Sequence, residues 1–275
     1  MLEPRKIPLR CPFHDPCLEL NYFDEGLGEA IILVHGLGEE GLSWRLQIEE
    51  FSQHYRVIAP DLRGHGASGH RDDEIITLKR FADDIIALVR HLGVGQAHFC
   101  GMSLGGLVVL EIFCRYPNLV KSITLADTAV FFPPPDPLQE RLELLDRLGL
   151  VEWAKLVPYI YLRPGASSAQ KAEVAAMVSN NRLAPYRQSV VATFTADYRW
   201  LLPLVDVPTL ILVGEEDQIV SPGIARYTHR SIPGSTLRVI PRAGHLSNLD
   251  NPQAFAAEVL AHLARLQTTA DTDRN

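Results

Sequence analysis

The feature that most constrains this chain is a rhythm. Six short apolar runs rich in β-branched residues are each bounded by turn residues and separated by longer segments, several with helical patterning. The runs are Ala30 to His35, Arg56 to Pro60, Gln96 to Cys100, Lys121 to Ala126, Thr209 to Val213 and Thr236 to Ile240. Runs of this length and composition read as strands buried on both faces, which in turn requires helices on both sides of a mostly parallel sheet. The fold class expected is therefore α/β. Leu18 to Phe23 is expected to add an antiparallel strand at the edge.

Two segments show the matching helical period. Leu78 to Leu92 has apolar residues three and four apart and stops at Gly93, a natural C-terminal cap. Pro252 to Leu266 repeats the pattern with Pro near the first helical position. The 275 residues suit one large α/β core, expected from residues 1–130 and 205–268. Residues 131–204 break the rhythm with no convincing strand. They open on Phe-Phe-Pro-Pro-Pro and read as short amphipathic helices, expected to form an inserted helical cap. Residues 269–275, polar and unpatterned, are expected to be a mobile tail.

Composition enters mainly as exclusion. A formal charge of -7, from 26 Lys and Arg against 33 Asp and Glu, with no basic run, argues against nucleic acid and anionic membranes as partners. No stretch approaches the roughly 20 apolar residues of a membrane span, and residues 1–15 lack a signal-like apolar core, so a cytoplasmic location is expected. The four cysteines match no zinc or redox spacing; reduced thiols are expected, with Cys100 and Cys114 packed as small hydrophobes. A monomer or homo-oligomer is compatible with all of this.

The chemistry is most legible at Gly101-Met102-Ser103-Leu104-Gly105, which lies between a strand and an apolar helix. A Gly-x-Ser-x-Gly match alone arises by chance in roughly one chain in ten of this length; the strand and helix around it carry the argument. On so tight a turn a serine hydroxyl stands above the sheet edge, beside a helix N-terminus. Ser103 is thus the candidate nucleophile, and the Leu104 N–H a candidate oxyanion donor. The Leu37 N–H, in the loop His35-Gly36-Leu37-Gly38, is the candidate second donor.

A hydroxyl needs a base. His245 follows the last strand and precedes the C-terminal helix, where the base is expected, with His65 as the rival at another strand end. The orienting acid should follow a strand between Ser and His; Asp217 fits, and Asp127 is the alternative. A Gly-rich turn that merely closes a β-α unit is the bland reading of the serine segment. Gly36-Leu37-Gly38-Glu39-Glu40-Gly41 is also formally a dinucleotide fingerprint, with Asp61 ending the next strand. Against that reading, Glu39 and Glu40 would repel a pyrophosphate, and Trp44 crowds the seam where the helix would pack.

His35-Gly36, Asp61 to Gly66, Gly101 to Gly106, Gly214 to Asp217 and Ala243 to His245 together resemble the α/β-hydrolase superfamily, over nearly the whole chain. Within it, Cys100 to Gly106 and Ala243 to Phe255 most resemble 3-oxoadipate enol-lactonases. The resemblance implies an α/β-hydrolase fold and hydrolysis of a small-molecule ester or lactone by a Ser103–His245–Asp217 triad, with no metal or organic cofactor. Ser103 argues against dehalogenase and epoxide-hydrolase relatives, which use Asp as nucleophile, and Leu246 after the histidine argues against carbon-carbon bond hydrolases. Esterases and perhydrolases share the triad. A non-catalytic binding homologue is the alternative of another class. Substrate choice is expected from Phe131, Phe132, Trp153 and Phe194, with Tyr159 and Tyr161, and a substrate carboxylate would pair with one of Arg163, Arg182, Arg187 or Arg199.

Overall fold

The structure is a computed structural model describing residues 2–11, 14–132 and 138–272, with side chains undescribed at 9–11, 14–17 and 269–272. Its strands are β1 (Arg5–Cys11), β2 (His14–Glu25), β3 (Ala30–Val34), β4 (Arg56–Pro60), β5 (Ala97–Met102), β6 (Val120–Ala126), β7 (Thr209–Gly214) and β8 (Thr236–Ile240). Its helices are α1 (Arg45–Phe51), α2 (Leu78–His91), α3 (Leu104–Arg115), α4 (Leu138–Tyr161), α5 (Ser168–Ser179), α6 (Leu183–Phe194), α7 (Pro222–Ser231), α8 (Ser247–Asp250) and α9 (Pro252–Thr272).

One eight-stranded sheet runs β1-β2-β4-β3-β5-β6-β7-β8. Pairing is parallel from β4 through β8 and antiparallel at β1/β2 and β2/β4. Every residue of β3, β5 and β7 is buried, as their unbroken apolar runs demand of strands covered on both faces. β8, at the edge, is half open.

Leu18 to Phe23 is a strand but not the edge. β1 covers it, pairing Arg5 with Tyr22 and Leu9 with Leu18. Pro4 and Pro8 hide β1 in the sequence, since proline lowers a segment's reading as strand yet is tolerated where one backbone side faces solvent. α9 runs on to Thr272, since Gln267 to Thr272 contains neither Gly nor Pro to stop the backbone ladder, and residues 273–275 of the expected tail lie outside the described residues.

Between β6 and β7 the chain makes α4, α5 and α6 and returns where Phe131 pairs with Asp197 and the Tyr198 N–H donates to the Val130 carbonyl. Gly149, at φ +70°, breaks α4 into two arms. Cys100 is buried as expected, but Cys114 is exposed: it lies on the outer side of α3 while Ile112 and Phe113 face inward. The side chains of Cys11 and Cys17 lie outside the described residues. Among the described residues no helix is long and apolar enough to cross a membrane.

Strand order reverses at β3, with β4 on one side and β5 on the other. The loop after β3 and the turn after β5 therefore open side by side at the carboxyl edge, where ligands bind in sheets of this kind. The register fixes this neighbourhood: Val34 pairs with Gly101, and Met102 with Ala126.

Candidate active site

Ser103 sits at the tip of the β5-to-α3 turn with φ 51° and ψ -112°, a strained conformation for a side-chain-bearing residue. Its neighbours must be glycine. A Cβ on Gly105 would lie 2.1 Å from the Val34 carbonyl oxygen, and one on Gly101 would lie 2.3 Å from that of Gly105. Close approach of α3 to β3 is what lifts the serine, and the Ser103 N–H donating to the Ala126 carbonyl at 2.8 Å pins it to β6.

His245 comes from the loop after β8 and Asp217 from the loop after β7. The His245 Nδ1–H donates to Asp217 Oδ2 at 2.9 Å, and Nε2 lies 2.9 Å from Ser103 Oγ. The carboxylate partner fixes the tautomer and leaves Nε2 as the acceptor for the serine hydroxyl. Asp217 Oδ1 accepts the N–H groups of Ile219 and Val220, so the carboxylate is held at both oxygens. Burial disfavours the imidazolium, but the charge and hydrogen bond of Asp217, with smaller contributions from Asp127 and Glu39, outweigh it. The net shift of His245 is upward from its usual value.

Asp127 has a different task. Its oxygens accept the N–H of Gly214 at 2.7 Å and the hydroxyl of Ser247, bracing the strand end that leads to Asp217 against the segment that follows His245. Burial, then repulsion from Asp217, raise its carboxyl to about 8. His65 is equally remote from proton transfer. It is fully buried, 5.3 Å from the His35 ring, with burial lowering it to about 3.

The Leu37 and Leu104 N–H groups have no hydrogen-bond acceptor among the described residues. His35 holds the first in place: the Leu62 N–H donates to its Nε2 at 2.8 Å, and its Nδ1–H donates to the Gly36 carbonyl at 2.8 Å. Asp61 accepts the Gly41 N–H at 2.7 Å as well as bonds from Asn21 and Ala67. This overturns the dinucleotide reading, because the carboxylate expected on a ribose is buried and the backbone donor expected on a phosphate is satisfied.

Above Ser103 and His245 lies a small cavity whose walls include Leu37, Phe132, Phe194 and Tyr161. The Tyr161 ring meets His245 edge-on at 5.1 Å. Phe131 and Trp153, expected here, are placed elsewhere. Phe131 packs against Tyr227 under the Arg199 guanidinium, and the Trp153 indole N–H donates to the Tyr186 hydroxyl in the interior of α4 and α6. Tyr159 is 70% exposed, one residue off the inward face. Arg163, Arg187 and Arg199 pair with Asp250, Asp146 and Asp197, and Arg182 does not line the cavity. The arginine that does is Arg141. It was legible in principle, because it shares a helical face with Leu138, Leu142 and Leu145.

A sheet of this order with a serine on a strained strand-to-helix turn, hydrogen-bonded to a histidine, defines a class. The chain belongs to the alpha/beta hydrolase family, whose pattern matches residues 31–258, and is a hydrolase enzyme. Among its relatives, 3-oxoadipate enol-lactonase 2 of Acinetobacter baylyi is 31% identical over 257 residues, covering 90% of this chain and 93% of that one. A thermophilic esterase from Thermogutta terrifontis, solved with malate bound, superposes with a TM-score of 0.86 at 28% identity, covering 96% and 99% of the two chains. The enol-lactonase of Burkholderia xenovorans LB400 gives 0.84 at 25% identity, covering 90% and 97%.

Proposed function

We propose that the protein hydrolyses a small carboxylic ester or lactone through an acyl-enzyme on Ser103. The observation that carries this reading is the unbroken relay Ser103 Oγ–His245 Nε2 and Nδ1–Asp217, with both contacts at 2.9 Å, at the floor of a cavity. In the first half-reaction Ser103 Oγ bonds to the substrate carbonyl carbon while its proton passes to His245 Nε2. The oxyanion that forms is held by the free Leu37 and Leu104 N–H groups, each such donor being worth about 3 to 4 kcal/mol in comparable sites. The bond to the leaving oxygen then breaks, and that oxygen takes the proton from His245.

In the second half-reaction water gives a proton to His245 and its oxygen to the acyl carbon, releasing the acid and restoring the serine hydroxyl. Asp217 stays ionised throughout and stabilises the imidazolium. A lactone keeps its alcohol tethered after ring opening. Similarity to the two enol-lactonases supports a lactone substrate, and residues 131–204 are proposed as the cap that shapes its pocket.

Hydrolysis of short p-nitrophenyl esters and a panel of small lactones, with Ser103→Ala as control, tests this. Turnover should fall on the order of 10⁶-fold in the mutant. A Ser103→Ala protein that retains most of the activity would overturn Ser103 as the nucleophile, and a wild-type protein that neither turns over nor labels with a fluorophosphonate would overturn the reading in favour of a non-catalytic binding protein.

A further inference from the structure

The loop that carries His245 is held from two sides, and only one of them belongs to the sheet. On that side the Glu216 N–H donates to the Ala243 carbonyl at 2.8 Å, and Asp127 accepts the Ser247 hydroxyl. The other side is the end of α4. The Leu246 N–H donates to the Tyr161 carbonyl at 3.1 Å, and one oxygen of Asp250, Oδ2, accepts the N–H of Gly244 at 2.8 Å and that of Arg163 at 2.7 Å. Both chain neighbours of His245 are therefore bonded, directly or through Asp250, to the segment Tyr161 to Arg163.

Local structure brings Asp250 to this place. α8 is a single turn, closed by the Leu249 and Asp250 N–H groups on the Leu246 carbonyl, and it returns the carboxylate to Gly244. Gly244 permits the close approach: an added Cβ would lie 2.7 Å from the Arg163 nitrogen and 2.9 Å from the Tyr161 carbonyl oxygen. The Asp250 side chain is wholly buried, yet its ion pair is loose. Arg163 Nε stands 4.0 Å from Oδ1, and neither atom makes a hydrogen bond. Burial pushes the carboxyl up, and the two backbone N–H groups oppose that rise. A buried carboxylate is costly unless hydrogen bonds offset the lost water, and here the two that do so come from different parts of the chain. α5 adds a third tie, from Gln170 Nε2 to the Leu249 carbonyl at 3.2 Å.

We infer that Asp250 is a positioning residue: it fastens the end of α4 to the loop that carries His245, so that the helices between β6 and β7 hold the general base in register with Ser103. Asp250 does not line the cavity and acts only through other groups. Tyr161, which does line it and meets His245 edge-on at 5.1 Å, stands on the segment that Asp250 holds, so a pocket wall and the base are set together. The inference rests on the Ser103–His245–Asp217 reading, and its test includes a readout that needs no turnover.

The experiment compares wild type with Asp250→Ala and Asp250→Asn on a short p-nitrophenyl ester. Alanine removes both backbone bonds, whereas asparagine drops the charge and keeps an oxygen for the two N–H groups. In Asp250→Ala kcat should fall about 10- to 100-fold, the scale of a small misplacement of a reacting group, with KM within a few-fold of wild type. The acid-limb midpoint of kcat/KM should also move down. Of the groups that face His245, burial among them lowers it, and Asp217 raises it more than Asp127 or Glu39, while Tyr161 presents a ring edge; a base that drifts from Asp217 loses the largest upward contribution. Asp250→Asn should restore most of kcat and the midpoint. Gly244→Ala wedges the same contact from the other side and should give the alanine pattern, which keeps the test open if Asp250→Ala does not fold. The downfield proton resonance of the His245 Nδ1–H, assigned by its absence from His245→Asn, reads the geometry directly: it should be lost or broadened in Asp250→Ala and return in Asp250→Asn. A folded Asp250→Ala with kcat and resonance unchanged overturns the inference. So does a loss of kcat that follows the folded fraction in urea while midpoint and resonance stay put, which makes Asp250 a purely structural residue. A wild type that hydrolyses no ester would remove the proposed function, and the resonance would still decide the positioning.

Discussion

Two carboxylates compete for one role at the end of the sheet, and their surroundings separate them. Asp217 meets His245 directly, whereas Asp127 meets a backbone N–H and a serine hydroxyl. Asp217→Asn should therefore lower kcat by about 10⁴-fold, the loss typical when a triad histidine is held in the wrong tautomer. The same change withdraws the charge that raises His245. The proposed mechanism requires neutral His245, so the wild-type kcat/KM should fall as pH drops through a midpoint raised from the usual histidine value, and Asp217→Asn should bring that midpoint down. Asp127→Asn, which keeps an acceptor for the Gly214 N–H and replaces the acceptor facing the Ser247 hydroxyl with an amide that can donate to it, should cost far less. Steady-state kinetics from pH 5 to 9 on the three proteins decide it; a larger loss in Asp127→Asn would reverse the assignment.

At the scale of elements, the site depends on how closely α3 seats against β3. Gly105 has an ordinary backbone conformation but no room, whereas Gly93, at the end of α2, has φ +69° and nothing within 4 Å of an added Cβ. Two alanine substitutions should thus fail for different reasons. Gly93→Ala places a side chain in the left-handed region and should cost roughly 1 to 2 kcal/mol with activity intact. Gly105→Ala must push α3 away from the Val34 carbonyl, costing about 1 to 3 kcal/mol or more, and shift Ser103 and the Leu104 N–H with it. Urea denaturation with parallel activity assays should show activity lost in Gly105→Ala beyond what its stability explains. A fully active Gly105→Ala would mean that this seam does not set the turn.

Across the whole molecule, buried ionisable groups tie folding to pH. Glu39 and Asp127 are raised to about 7 and about 8, so each holds a proton in the folded chain that it gives up when unfolded. Their contribution is present below the unfolded carboxylate values and is lost as pH rises through the folded ones. His35 and His65, lowered to about 4 and about 3, act oppositely: folding loses stability as pH falls below about 6.5 toward those values. Glu39→Gln removes one titration. Its melting temperature relative to wild type should rise between pH 5 and pH 8, approaching a difference worth about 3 kcal/mol. A pH-independent difference would show that Glu39 does not titrate with folding.

Much of this was written locally. Strand positions follow from short β-branched runs, and the strained serine turn follows from glycines that only a close β-α seam requires, so both were legible without coordinates. Sequence order also set His245 and Asp217 after the last two strands, but order carries no distances; the two 2.9 Å contacts, and the choice of Asp217 over Asp127 as the partner of His245, exist only once β6, β7 and β8 lie side by side. The pocket was the least legible part. Phe131 and Trp153 pack away from the cavity, while Arg141, which the sequence did not single out, lines it. Between β6 and β7 the helices have no sheet register to fix which face turns inward, so packing between α4 and α6 decided which side chains meet the serine.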